Sequence, residues 1–284
     1  MTPSMQGKML LITGATSGIG EVAARELARQ GARIVFIARD RARAERTLAE
    51  LERAGPGAGH GFHLADLSRL AEMKRVAAAI LEREPRIDVL INNAGALFPR
   101  REVTEDGLEM TFATNHLAYF VITNLLLGRL KATPGARIVS TASGAHERAT
   151  LDFGDLQSAK GYSGFTVYSR SKLMNILFTR ELARRLEGSG VTANCLHPGF
   201  VNTRFGESGG GLMSLGLRVA KKFALSPEEG AETLIYLASS PEVARTTGAY
   251  FYKRKPVAPS QAAQNDADAR RLWEISAQLS GVGA

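Results

Sequence analysis

A chain of 284 residues that is 44% hydrophobic and 23% charged carries enough apolar side chain for one large core or two small ones, and reads as an ordinary globular protein. Its 36 Lys and Arg outnumber 28 Asp and Glu, a net charge of +8, yet they are spread along the chain with only short clusters such as 39–46, so a nucleic-acid partner is not expected. Cys195 is the only cysteine, which excludes an intramolecular disulfide; with no run approaching a bilayer span and a short polar start, a cytoplasmic location is expected.

The first apolar run, 9–12, leads directly into Thr13-Gly14-Ala15-Thr16-Ser17-Gly18-Ile19-Gly20, where a helical pattern begins and runs to a stop at Gly31. Gly14 permits a tight turn, Gly18 lets a pyrophosphate approach the backbone, and Gly20 lets the helix pack closely. Free N–H groups at the positive helix end suit the pyrophosphate, so the strand-turn-helix context favours a dinucleotide. The second run, 34–37, ends Ala38-Arg39-Asp40. Ala38 stands where an acid would bind a ribose 2′-hydroxyl, and Arg39 offers a fork suited to a 2′-phosphate, which favours NADP(H). A solvated Arg39 with Asp40 on the ribose is the other reading. Asp40 and Ser68 stand at helix starts as candidate caps, and Asp66 could equally cap the helix near Ser68.

Further runs at 89–91, 138–139 and 191–196 alternate with helical patterns. That rhythm predicts an α/β fold: a single doubly wound Rossmann domain over 1–284, with a parallel sheet of about seven strands and helices on both faces. Two segments break it, 145–163 and a Gly-rich stretch about 199–225, expected to be a mobile substrate loop. Between them, Tyr168 and Lys172 are four apart in a helical pattern and share a face. A free tyrosine titrates near about 10; a neighbouring ammonium favours its phenolate and makes it a usable proton shuttle.

Together with Asn92-Asn93-Ala94-Gly95 after the fourth strand, Asn115 in the next helix, Ser140-Thr141-Ala142-Ser143 after the fifth, and Pro198-Gly199 after the sixth, these motifs resemble the short-chain dehydrogenase/reductase superfamily from Lys8 onward. The resemblance implies that Tyr168 exchanges the proton and that Lys172 holds the nicotinamide ribose and lowers the tyrosine pKa. Ser143 would bond the substrate oxygen, and Asn115 would support a water-mediated relay. Cofactor contacts are implied at Gly14, Thr16, Ser17, Gly18, Ile19, Gly20, Arg39, Asp66, Leu67, Asn92, Asn93, Ala94, Gly95, Tyr168, Lys172, Pro198, Gly199, Val201 and Thr203. Where many relatives carry two adjacent hydroxyls this chain has Ala142-Ser143, and Ser140 and Thr141 lie close enough to leave the register open. His197 reads as structural.

The long spacing from Ser143 to Tyr168, the insertion Asp152-Phe153-Gly154-Asp155-Leu156, and Arg271-Leu272-Trp273-Glu274 in the tail are similar to the retinol dehydrogenase-like branch. The implied reaction interconverts an alcohol and its aldehyde or ketone, with a lipophilic, retinol-like substrate. Phe98, Phe200, Phe205, Leu212, Met213 and Leu215 could line an apolar pocket or simply pack loops together. The resemblance also allows a homodimer or tetramer built on the Tyr-Lys helix and the helix before it, a surface the longer loop could obstruct. A catalytically silent NADP(H)-binding regulatory protein is the alternative, although all four catalytic positions are filled.

Overall fold

The apolar runs become strands because a sheet covered on both faces lets every position be apolar. The computed structural model describes residues 5–199 and 225–283. In it β1 (Met9–Thr13), β2 (Arg33–Ala38), β3 (Gly61–Leu64), β4 (Val89–Asn92), β5 (Arg137–Thr141), β6 (Thr192–His197), β7 (Tyr250–Tyr252) and β8 (Lys255–Pro256) form one sheet. The order is β3-β2-β1-β4-β5-β6-β7-β8, and only the β7–β8 pair is antiparallel. The fold is the expected Rossmann type, with eight strands among the described residues rather than about seven.

The additional strand returns through Lys253 (φ 49°) and Arg254 (φ 63°), two consecutive left-handed residues forming a two-residue hairpin loop. Asn-Gly is the usual signal for such a loop, so Lys-Arg conceals it in the sequence. A left-handed residue bearing a Cβ costs roughly 1–2 kcal/mol, so Lys253→Asn with Arg254→Gly is expected to raise stability by about 1 kcal/mol. A higher urea midpoint would show it; a lower one would mean that the two cations outweigh the strain.

The connecting helices are α1 (Gly18–Arg29), α2 (Arg41–Ala54), α3 (Leu70–Arg83), α4 (Ala118–Lys131), α5 (Gly164–Arg185), α6 (Pro227–Ser239) and α7 (Asp266–Ser280). Successive strand residues point to opposite faces. Leu10, Ile12, Ile34 and Phe36 therefore pack under α1, α2 and α6, while Leu11, Val35, Ile37 and Leu90 pack under α3, α4, α5 and α7. None of the described helices is long and apolar enough to cross a membrane.

α7 lies across α4 and α5, the pair on which the resemblance allows an oligomer. Trp273 stacks on Phe178 of α5 (5.8 Å, 14°) and meets Phe120 of α4 edge-on (4.8 Å, 70°). Asp266 pairs with Arg180 and Arg184 of α5. In the loop before α5, Phe153 lies under Arg271 of α7, and Asp152 and Asp155 accept backbone N–H bonds that shape its turns.

Asp40 caps α2 as expected, accepting from Arg43 N at 2.9 Å. Ser68 does not cap α3. Asp66 holds it in a local turn by accepting from both its N–H and its hydroxyl, and the helix begins only at Leu70, whose N–H donates to Asp106 at 2.8 Å. A carboxylate 36 residues away in sequence replaces the local cap.

Candidate active site

In a parallel sheet β1, β4, β5 and β6 all end at one edge, and the strand order reverses between β1 and β4, where doubly wound sheets open a crevice. Gly14 (φ 71°) turns the chain out of β1; a Cβ on it would sit 2.8 Å from Ala94 Cα. Gly20 is pressed against the Gly14 carbonyl and the Asn93 side chain, so it packs on the turn and on the end of β4. Gly18 (φ 60°) opens α1, flanked by half-buried Thr16 and Ile19. Exposed Ser17 precedes the helix without a side-chain cap bond, leaving first-turn N–H groups suited to an anion.

One side chain ties three strand ends together. Asn93 Nδ2 donates to the Gly14 carbonyl (3.1 Å) and its Oδ1 accepts from Thr141 Oγ1 (3.1 Å), while Thr13 Oγ1 accepts from the N–H groups of Asn93 and Ala94. The sequence reading missed Thr13 as a site residue and gave Thr141 no such role; a hydroxyl in the last position of an apolar strand is the signal that could have found them. Asn92 stands apart, fully buried and donating to Thr123 of α4. Exposed Gly95 has its Cβ position 3.3 Å from Asn115 Oδ1 and 3.4 Å from Lys172 Nζ.

At the end of β2, Ala38 is buried and Arg39 exposed, with no ion pair to any described residue, whereas Asp40 is engaged at α2. Asp66 is half-buried in its turn, and Leu67 packs into the core.

Asn115 lies in a π-helical turn, Ala113–Leu117, that leads into α4. Wide turns of this kind recur at functional sites. Its Oδ1 accepts from Ala96 N (2.8 Å) and its Nδ2 donates to Ala96 O (2.9 Å) and to Ser171 Oγ (3.0 Å), which joins the segment after β4 to α5. Tyr168 and Lys172 share a face of α5, with Lys172 Nζ 5.5 Å from the Tyr168 ring centroid. Lys172 also lies 5.9 Å from the ring of Tyr119 and donates to the Thr141 carbonyl (3.2 Å), which takes a second bond from Asn175 Nδ2. Of the three hydroxyls in doubt, Ser140 is buried in the sheet, Thr141 bonds Asn93, and Ser143 hydrogen-bonds Tyr168.

Burial pushes the Tyr168 pKa up to about 12, and the Ser143 bond offsets part of that rise. Burial also brings Lys172 down to about 8. Sequence reasoning expects the ammonium to lower the tyrosine; in the protein by itself desolvation dominates both groups. Lys172 has no carboxylate partner among the described residues, and its donors lie beside the ring of Tyr168, which fits the ribose hydroxyls of a nicotinamide nucleotide.

His197, at the end of β6, stacks on Tyr252 (4.9 Å, 19°) and accepts at Nδ1 from Gly144 N and Gly199 N. These contacts tie the end of β6 to the turn after β5 and to β7. Pro198 and Gly199 (φ 88°) follow half-buried at the same strand edge. Val201, Thr203, Phe200, Phe205, Leu212, Met213 and Leu215, and nearly all of the segment about 199–225, lie outside the described residues.

The short chain dehydrogenase family matches residues 8–209. Retinol dehydrogenase 14 of Mus musculus is 45% identical over 294 residues, covering 98% of this chain and 87% of the relative. The crystal structure of an uncharacterized protein from Mycobacterium paratuberculosis superposes with a TM-score of 0.80 at 33% identity, covering 99% of this chain and 96% of the other. A short chain dehydrogenase from Burkholderia cenocepacia in complex with NADP superposes with a TM-score of 0.69 at 26% identity, covering 92% and 99%. With a family match over most of its length and relatives of this identity, the chain belongs to the short-chain dehydrogenase/reductase superfamily, in its retinol dehydrogenase-like branch.

Proposed function

We propose that this protein is an NADP(H)-dependent oxidoreductase that interconverts a lipophilic, retinol-like alcohol and its aldehyde or ketone. The observation carrying the proposal is the hydrogen bond between Ser143 and Tyr168 with buried Lys172 behind them, at the edge where the glycine turn and Asn93 also end. The nicotinamide supplies or accepts the hydride. Tyr168 Oη gives its proton to the carbonyl oxygen in reduction and takes it back in oxidation. Ser143 Oγ donates a hydrogen bond to that oxygen and stabilises charge developing there. Lys172 keeps a positive charge beside Tyr168 and holds the nicotinamide ribose, while Asn115 fixes the backbone of Ala96 and supports a relay behind Lys172. Gly14, Gly18 and the first turn of α1 would hold the pyrophosphate, and Arg39 the 2′-phosphate.

The testing experiment is NADPH oxidation, with NADH in parallel, against aldehydes and ketones including retinal. Turnover with NADPH supports the proposal; tight NADPH binding without turnover would shift it to a regulatory role. Arg39→Glu is expected to raise the NADPH Kd about 10-fold to 100-fold while moving the NADH Kd little, since a charge-assisted phosphate bond becomes a repulsion. An equal effect on both would remove Arg39 from cofactor selection.

The free enzyme's ionisations set the pH profile of kcat/KM. Reduction needs protonated Tyr168, retained up to about pH 12, and charged Lys172, lost above about pH 8. Reductive kcat/KM is therefore expected to fall above about pH 8. A flat profile through that region would show that the Lys172 charge is not required.

A further inference from the structure

The peptide group that joins Ser143 to Gly144 is held at both polar ends. On one side the Ser143 carbonyl accepts from His146 Nδ1 at 2.7 Å; on the other, the Gly144 N–H donates to His197 Nδ1 at 3.0 Å. The two rings play opposite roles. His146 Nε2 accepts from Ser260 N (3.2 Å), so its proton resides on Nδ1 and that nitrogen donates. His197 Nδ1 accepts twice, from Gly144 N and from Gly199 N (3.2 Å), so its proton resides on Nε2.

Both rings are fixed by packing. His146 is fully buried and meets Tyr250 of β7 edge-on (5.1 Å, 70°), and His197 stacks on Tyr252 of the same strand. Gly144 leaves room for the approach, since a Cβ there would sit 3.0 Å from His197 Nε2, tighter than an ordinary contact. Burial, with His146 close by, brings the His197 pKa down to about 4, so its acceptor stays available at neutral pH.

We infer that His146 and His197 are positioning residues for Ser143: as a donor on one side and an acceptor on the other they fix the Ser143–Gly144 peptide plane, and with it the direction in which the Ser143 hydroxyl meets Tyr168 and the substrate oxygen. A peptide plane sets the torsion on the carbonyl side of Ser143, and rotation there swings Oγ by a distance that matters, since a misplacement of about 1 Å can lower a rate about 100-fold. Through Ser260 the same clamp links the serine to the segment between β8 and α7. This inference rests on the catalytic role proposed for Ser143.

The test is a set of variants read for both kcat and NADPH Kd. His146→Leu and His197→Leu are each expected to lower kcat about 10-fold to 100-fold with NADPH Kd nearly unchanged. His197→Asn, whose Oδ1 can replace the Nδ1 acceptor, and His146→Asn, whose Nδ2 can replace the Nδ1 donor, are expected to restore much of that loss. In a Ser143→Ala background both Leu substitutions are expected to have little further effect, because a group acting through Ser143 has nothing left to position. Losses that multiply with Ser143→Ala, or that appear in NADPH Kd rather than kcat, would overturn the inference while leaving the oxidoreductase intact. No loss in Ser143→Ala itself would instead overturn the role of Ser143. Independently of turnover, imidazole nitrogen NMR is expected to place the proton on Nδ1 of His146 and on Nε2 of His197; the opposite tautomers would refute the clamp.

Discussion

Tyr168→Phe is expected to lower kcat by about two to four orders of magnitude, the range supplied by a positioned acid or base, with NADPH Kd little changed. The substitution removes one oxygen. The ring that faces Lys172 at 5.5 Å and the helix that carries it remain, so the loss isolates proton transfer from binding. Ser143 keeps its place as N-cap of the turn after β5, accepting from Ala145 N, but it loses its bond to the phenol. Ser143→Ala is expected to have the smaller effect, because Tyr168 still bonds the reacting oxygen. Single-turnover measurement of NADPH oxidation, with binding followed by nucleotide fluorescence, separates the two quantities. A Phe variant keeping more than about a tenth of wild-type kcat would remove Tyr168 as the proton donor.

Trp273→Ala is expected to destabilise the protein by about 3–5 kcal/mol, the usual range for a large buried aromatic. At roughly 2–4 °C per kcal/mol, that lowers Tm by about 10 °C. Trp273 is 4% exposed, packs on Phe120 and Phe178, lies under Arg185 at 4.4 Å and donates from its indole to the Gly283 carbonyl. The cavity would lie between α7 and the α4–α5 pair, so loosening of α7 should also bring self-association. Thermal unfolding followed by size-exclusion chromatography reads both. A small shift with a monodisperse elution profile would mean that α7 is dispensable for closing that face.

The parts of the fold that repeat a simple physical pattern were legible in the residues. Continuous apolar runs with helices between them mark a doubly covered parallel sheet, and glycines at a strand-to-helix junction mark the turn. Features defined by contacts distant in sequence were not. Asp106 capping α3, Asn93 joining Gly14 to Thr141, and His146 reaching Ser260 each depend on a neighbour that sequence order does not reveal. The β7–β8 hairpin was hidden because Lys253 and Arg254 occupy left-handed positions that Asn and Gly usually fill. The candidates Tyr168, Lys172, Asn115 and Ser143 could be named from the sequence because their motifs are local. The residues supporting them were missed because each is an ordinary Thr, Asn or His until the fold brings it near.

The place of α7 also bears on how the protein is made. α4 and α5 leave the ribosome well before α7, and their shared face, with Phe120 and Phe178 on it, stays bare until Trp273 has been synthesised. At roughly 5–20 residues per second that interval is on the order of ten seconds, long enough for a nascent chain to aggregate or to engage a chaperone. Synonymous codons that slow translation between α5 and α7 should therefore lower the soluble yield of an unchanged amino-acid sequence.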